Sequence, residues 1–293
     1  MITTPGLYTD AAIRAAYHSD PCQEISLSRS VAKTIASRTP AHAFVAHPRL
    51  NPDYEPYEAS KFDVGSAAHT LILKEGNAIE IIDADDWRTK AAKDARDFAR
   101  AAGKTPMLRH QYIETASCVA KVRAQLPSFG LGDILSPDHG QSEVVAAWND
   151  PVAGWCRVMF DRIMADLTIW DFKFTGIDLT DESLSRHMAG MGYEFQHAFY
   201  ERAITELYPE MRGRVKFGFV FCEIKPPFAI MPVRLSNAAV AKGRAAVQVA
   251  CERWRDAKAS GEWPAYAGGV RVIDYPPWAI AEWMGDTENE DVA

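Results

Sequence analysis

The chain has 293 residues, enough for one large domain or two small ones. With 47% hydrophobic and 24% charged residues it has the composition of a globular protein, which excludes a disordered or collagen-like chain. A net charge of −7 argues mildly against a nucleic-acid partner without excluding one, because contact with DNA depends on local charge.

The cysteines Cys22, Cys118, Cys156, Cys222 and Cys251 are scattered, with no Cys-x-x-Cys spacing. Neither a zinc knuckle nor an iron–sulfur cluster is suggested, and reduced thiols in a cytoplasmic protein are expected. No run approaches the roughly 20 apolar residues of a membrane span, so no membrane partner is expected. Residues 1–20 lack the basic flank and apolar run of a secretory signal.

Residues 1–25 are weakly patterned. The spacing predicts a short helix over residues 28–37, capped by Ser26 or Ser28 and stopped by Thr39-Pro40. Residues 51–57, with Pro52 and Pro56, read as a loop. Phe62, Ala68, Leu71 and Ile72 recur at helical spacing and predict a mostly buried helix over residues 61–74, with His69 in its middle. Residues 78–83 read as a strand. A polar helix over 86–102 and a second helix over 109–126, ended by Pro127, follow.

Strands are predicted over residues 141–148, 155–165 and 167–174, then one helix over 181–207, ended by Pro209. Val215, Phe217, Phe219 and Phe221 alternate along a strand over 215–224. Residues 228–235 should pair with it through Pro226-Pro227. A long helix over 237–260 starts at Asn237 or Ser236. Asp286, Glu288, Glu290 and Asp291 make residues 286–293 an acidic tail expected to be disordered. The order predicts a single α/β domain over residues 1–285: a central mixed β-sheet flanked by helices, with an α-helical N-terminal part to about residue 130.

The chemistry concentrates in the second and third strands. Asp171 and Lys173 lie two apart and therefore point the same way, and Asp161 arrives from the preceding strand. An Asp-x-Lys triplet is most often a weak surface ion pair. Here the flanks Ile169, Trp170, Phe172 and Phe174 are apolar, and buried charges are costly unless paired or bound to metal. Two carboxylates can hold a hard divalent cation, and a lysine beside them can hold or activate a water. That set can hydrolyse a phosphodiester, and it marks residues 140–260 as a metal-binding core.

Other residues extend the set. Tyr193, Gln196 and Tyr200 share one face of their helix, either as satisfied groups of an amphipathic helix or turned toward DNA or the metal-binding strands. His69 reads as a core histidine or, since neutral imidazole coordinates divalent cations, as a ligand. Glu143 is an edge-strand charge or a third acidic group near the site. Lys93, Arg96, Arg100 and Lys104 recur every three or four residues, with Arg88, Lys90 and Arg109 nearby, as a solvated face or a phosphate track.

The ordered set His69, Asp161, Asp171-Phe-Lys173 and Gln196-His-Ala-Phe-Tyr200 resembles the RecB-like branch of the PD-(D/E)xK nuclease superfamily. Three further stretches resemble the nuclease domain of RecE-type exonuclease VIII and its phage-type relatives. They are Ile25-Ser-Leu-Ser-Arg-Ser with Ser37-Arg-Thr-Pro-Ala-His42, Phe62-Asp-Val-Gly-Ser-Ala-Ala-His-Thr-Leu-Ile-Leu73, and Lys90-Ala-Ala-Lys-Asp-Ala-Arg-Asp-Phe-Ala-Arg-Ala-Ala-Gly-Lys104. The likeness spans about residues 20–280.

The resemblance implies a DNA exonuclease dependent on Mg²⁺, with Mn²⁺ as a substitute, acting on linear duplex from 5′ ends. It implies a RecT-type annealing partner and ring-like homo-oligomers. It makes His69, Asp161, Asp171 and the Phe172 carbonyl metal ligands, Lys173 the catalytic lysine, and Gln196 and Tyr200 supporting residues. Lys173-Phe-Thr175 departs from the pattern of such relatives, in which Thr often follows the lysine directly. A single-strand or flap nuclease of the same fold and a non-catalytic DNA-binding module are the alternatives. The missing cysteine set speaks against the cluster-bearing form of the first, and the complete residue set against the second.

Overall fold

Residues 1–55, 63–266 and 268–276 are described in the computed structural model, so the tail at 286–293 lies outside the described residues. The weakly patterned start forms strand β1 (Gly6–Tyr8) and helix α1 (Ala11–Ala15). Asp10 caps α1 by accepting the N–H groups of Ala12 and Ile13. A short strand β2 (Leu27–Ser28) leads into α2 (Arg29–Ser37), and of the two candidate caps it is Ser28 that accepts from Val31 N–H. Thr39-Pro40 ends that helix and starts another, α3 (Pro40–Val45). Thr39 caps α3, and Pro40 sits in its first turn, where a missing N–H costs nothing.

Helix α4 (Asp63–Leu73) carries His69. Strand β3 (Ile79–Ile82), helix α5 (Lys90–Ala101) and strand β4 (Thr105–Leu108) form a β-α-β unit with parallel pairing from Ile79↔Thr105 to Ile82↔Leu108. This two-stranded sheet stands apart from the main one and corrects the expectation of a single sheet. Thr89 caps α5, so the helix begins four residues later than predicted and stops before Lys104. Helix α6 (Arg109–Gln125) follows.

Strands β5 (Gly140–Asp150) and β6 (Gly154–Met164) form a long antiparallel hairpin. Asp150 closes its turn by accepting the N–H groups of Val152 and Ala153. Strand β7 (Ile169–Thr175) returns beside β6. The helix predicted over 181–207 divides at Gly192, whose φ of 64° is left-handed, into α7 (Asp181–Met191) and α8 (Tyr193–Leu207). Strands β8 (Phe217–Glu223) and β9 (Ile230–Val233) and helix α9 (Asn237–Ser260), capped by Ser236, complete the order.

The main sheet runs β1-β5-β6-β7-β8-β9, with β2 beside β6. The β7–β8 and β2–β6 pairs are parallel and the rest antiparallel, so the sheet is mixed. Both faces are covered. Trp148, Phe160, Phe199, Phe217, Phe219 and Trp254 pack in one core, and Ile72, Val122, Trp170, Phe172 and Val220 in another. Strands buried on both faces read as continuous apolar runs, as β8 does.

Candidate active site

The site forms where two strands part. The β6–β7 ladder holds Ile163↔Ile169 and Arg162↔Trp170, then stops. The next pair outward would be Asp161 and Asp171. There Asp161 Oδ2 accepts the N–H of Phe172 at 2.9 Å in place of a ladder bond. A strand residue's N–H and C=O leave on the same edge, so the Phe172 carbonyl faces the same opening. Strand β7 pairs instead with β8, placing Asp171 opposite Phe219 and Lys173 opposite Phe221.

Asp171 and Lys173 share a face, and the ammonium is in ion-pair contact with Asp171 Oδ1. From α8, Gln196 Nε2 donates to Asp171 Oδ2. Lys173 Nζ lies 5.3 Å from the Tyr193 ring centre and 5.9 Å from that of Phe219, a cation–π setting that holds the charge in an otherwise apolar wall. Tyr200 does not reach the carboxylates. Its hydroxyl donates to the Met159 carbonyl at 3.0 Å and so fixes β6 two residues before Asp161. His69 Nδ1 stands 3.4 Å from Asp161 Oδ2. Glu143 has a φ of 52°, although β5 keeps its register on either side, and it shares a cavity wall with His69. Asp161 and Asp171 act on Glu143 electrostatically.

Charge is crowded here. Burial first, and then Asp161, pushes the Glu143 carboxyl up to about 8, with Arg14 opposing. Burial first, and then Asp171, raises the Asp161 carboxyl, against His69, Lys173 and the Phe172 N–H. Burial alone would lower the Lys173 ammonium, but Asp171 and Asp161 outweigh it and hold the group above the ordinary lysine range. The ammonium stays charged at any working pH.

Two buried atoms, Asp171 Oδ1 and Gln196 Oε1, lack a well-directed hydrogen bond, the first held only by the charge of Lys173. Among the described residues no three His, Cys, Asp or Glu side chains converge as a ready-made metal cage. Asp161 is turned to His69 and the Phe172 N–H, and Asp171 to Lys173 and Gln196. The donor types still fit a hard divalent cation: strand carboxylates, a carbonyl, an imidazole and an orphaned carboxylate oxygen.

A cavity of about 680 Å³ opens at His69 and Glu143, walled by α1 and by the turns at Gly76 and Gly103. Arg14, His18 and Glu75 line it. The weak patterning of residues 1–25 hid this wall, although Asp10 before Ala-Ala-Ile-Arg14 is a capping signal. The basic row lies on the β3-α5-β4 unit, and its charges are partly matched. Arg96 pairs with Asp97 at 2.9 Å and Lys104 with Glu80 at 2.6 Å, Arg100 is half-buried, and Lys93 is exposed.

Residues 28–276 match the family model of the PDDEXK-like domain of unknown function (DUF3799). The chain belongs to this family. It is a nuclease domain of the PD-(D/E)xK class, with that class's mixed sheet flanked by helices, and nucleases of this class typically use divalent metal ions. The crystal structure of a candidate exonuclease from Eubacterium rectale superposes with a TM-score of 0.57 at 14% identity, over 92% of this chain and 93% of that one. At that identity the likeness is one of fold. No curated protein matches the sequence. Among the described residues no helix is long and apolar enough to cross a membrane.

Proposed function

We propose that the chain is a metal-dependent exodeoxyribonuclease that degrades linear duplex DNA from 5′ ends and leaves 3′ single strands for annealing. The observation that carries the reading is the parting of β6 and β7 at Asp161 and Asp171, with Lys173 and Gln196 on Asp171 and His69 on Asp161. The fold neighbour described as a candidate exonuclease supports the same class of reaction.

His69, Asp161, Asp171 and the Phe172 carbonyl would hold Mg²⁺, or Mn²⁺ in its place, with Glu143 as a further donor. A cation bound there would supply a water of lowered pKa and offset charge on the scissile phosphate. Lys173 would orient the attacking water or stabilise charge on the phosphate oxygens. Gln196 holds Asp171 in place, Tyr193 braces Lys173, and Tyr200 fixes the backbone before Asp161. The 3′ oxygen leaves and the product keeps a 5′ phosphate. Lys93, Arg96, Arg100 and Lys104 would track the backbone of the DNA. The nuclease unit is read as residues 1–285, working in a ring-like homo-oligomer with a RecT-type annealing protein in the cytoplasm.

The test is digestion of linear duplex and covalently closed circles with Mg²⁺, by the wild type and by Asp171→Ala. Linear DNA should vanish, circles should survive, and the variant should be folded and inert. Rapid cutting of circles would rule out the exonuclease, and a fully active variant would remove the site itself.

A further inference from the structure

We propose that Arg14 is the phosphate-binding residue of the cleft, held by Glu75 until a single DNA strand takes its place. The inference rests on the nuclease reading and adds how the strand is admitted. The cavity of about 680 Å³ is walled by α1 and by the turns at Gly76 and Gly103, and Glu143 and His69 also line it. Its volume lies within the range of about 300–1,000 Å³ typical of sites for one small ligand. A nucleotide or two of single strand fits such a space, and a duplex does not.

The carboxyl groups at and beside this cavity offer a phosphate no positive charge. Glu143 lines it, and Asp161 and Asp171 act on Glu143 electrostatically. Among the described residues that line it, Arg14 is the only lysine or arginine. His18 is the weaker candidate, because burial first and then Arg157 hold its imidazole below the usual range. The one fixed positive charge on the wall, among the described residues, is therefore Arg14.

Arg14 is also able to change partners. Its Nη1 lies 3.0 Å from Glu75 Oε2, with the two side chains 22% and 41% exposed. An ion pair so open to water is worth little and exchanges easily. A phosphate is the better partner, since the guanidinium fork matches two of its oxygens. The helix that carries Arg14 is nonetheless anchored. Arg157 of β6 is buried, donates to the Tyr17 carbonyl at 3.2 Å and to Ser26, and pairs with Asp20 at 3.0 Å. The strand that presents Asp161 thus also holds the segment that presents Arg14, which fixes the cation relative to the carboxylate.

The experiment measures binding of a fluorescein-labelled single-stranded DNA hexamer by anisotropy, with Ca²⁺ in place of Mg²⁺. Arg14→Ala should weaken binding about tenfold or more, the loss of one charge-assisted hydrogen-bonding group. It should also lower the slope of log affinity against log salt by about 0.7. Arg14→Lys should keep much of the affinity. Glu75→Gln should tighten binding, because it removes the competitor. Arg14→Ala and Glu75→Gln break the same ion pair, so a merely structural pair would move affinity the same way in both. Opposite signs support the proposal. Equal signs, an unchanged Arg14→Ala, or a wild type that does not bind the hexamer overturns it. Wild-type digestion of linear DNA with Mg²⁺ is read separately. Digestion with equal signs removes Arg14 alone, and binding with opposite signs but no digestion supports Arg14 while removing the nuclease reading.

Discussion

Replacing Gly243 with alanine sets two effects of opposite sign against each other at the helix that holds the site. Alanine is the better helix former by up to about 1 kcal/mol, so propensity alone predicts a more stable protein. Gly243, however, is where α9 meets the backbone of α8. A Cβ there would stand 2.7 Å from the Glu194 carbonyl carbon, nearer still to its oxygen, and 3.2 Å from Ala198 Cβ. Carbon atoms pack at about 3.5–4.0 Å, and backbone cannot swing aside as a side chain can, so the helices must part by about 1 Å. Overpacking of this kind costs about 1–3 kcal/mol and outweighs the propensity gain. A net loss of about 1–2 kcal/mol lowers the melting temperature by about 1.5–3.5 °C in a chain of this size. The shift also reaches Gln196, two residues beyond Glu194, whose amide holds Asp171. A displacement of about 1 Å in such a support can cost about 10²-fold in rate. Thermal unfolding followed by circular dichroism, with initial rates on linear duplex DNA, reads both effects. A Gly243→Ala variant as stable as wild type and fully active would show that the α8–α9 contact neither limits packing nor positions the site.

Lys173→Met should lose nearly all turnover yet still bind Mg²⁺ by calorimetry, since the ammonium serves water and phosphate; lost metal binding would make the lysine structural. His47 is buried, donates to the Ser26 carbonyl at 3.0 Å and accepts Arg49 N–H at 3.1 Å, and burial first lowers its pKa from 6.5 to about 4. A depressed histidine stabilises the fold fully above 6.5 and loses that contribution as pH falls toward 4, on the order of 3 kcal/mol. The urea midpoint should therefore drop across that window in wild type and less in His47→Gln; equal slopes would refute the assignment. Lys93→Glu with Arg96→Glu should weaken duplex binding and reduce the salt slope by about 2; an unchanged slope would leave the row a solvated face.

What was legible in the sequence follows the length of each element. Strands β5, β6 and β7 and helix α9 span enough residues for apolar spacing to show a period, and their positions were readable to within a few residues. Strands β1 and β2 and helix α1 are too short to show one. Strand β4 was hidden for another reason: Pro106 argues against a strand, and it is tolerated because β4 pairs on one side only, with β3. The division at Gly192 was missed because polar and apolar residues continue in helical spacing through it. Only the glycine marks the left-handed turn that separates α7 from α8.

The site divides the same way, between facing within an element and closure between elements. That Asp171 and Lys173 share a face, and that Tyr193, Gln196 and Tyr200 share another, follows from the periods of strand and helix. That Tyr200 serves the Met159 carbonyl while Gln196 takes Asp171 depends on how α8 lies across the sheet, which no local period encodes. The same holds for Arg14 and Arg157, whose roles appear only once the N-terminal segment folds back on β6. Closure also creates the chemistry. Apart, Glu143, Asp161 and Asp171 would be ordinary solvated carboxylates. Together and buried, Glu143 and Asp161 have their carboxyl groups pushed up toward the protonated form. A group so placed recovers its charge when the pH rises or when a cation displaces the proton. If these carboxyls hold a divalent cation, as proposed, binding must displace their protons, so the apparent affinity should rise with pH.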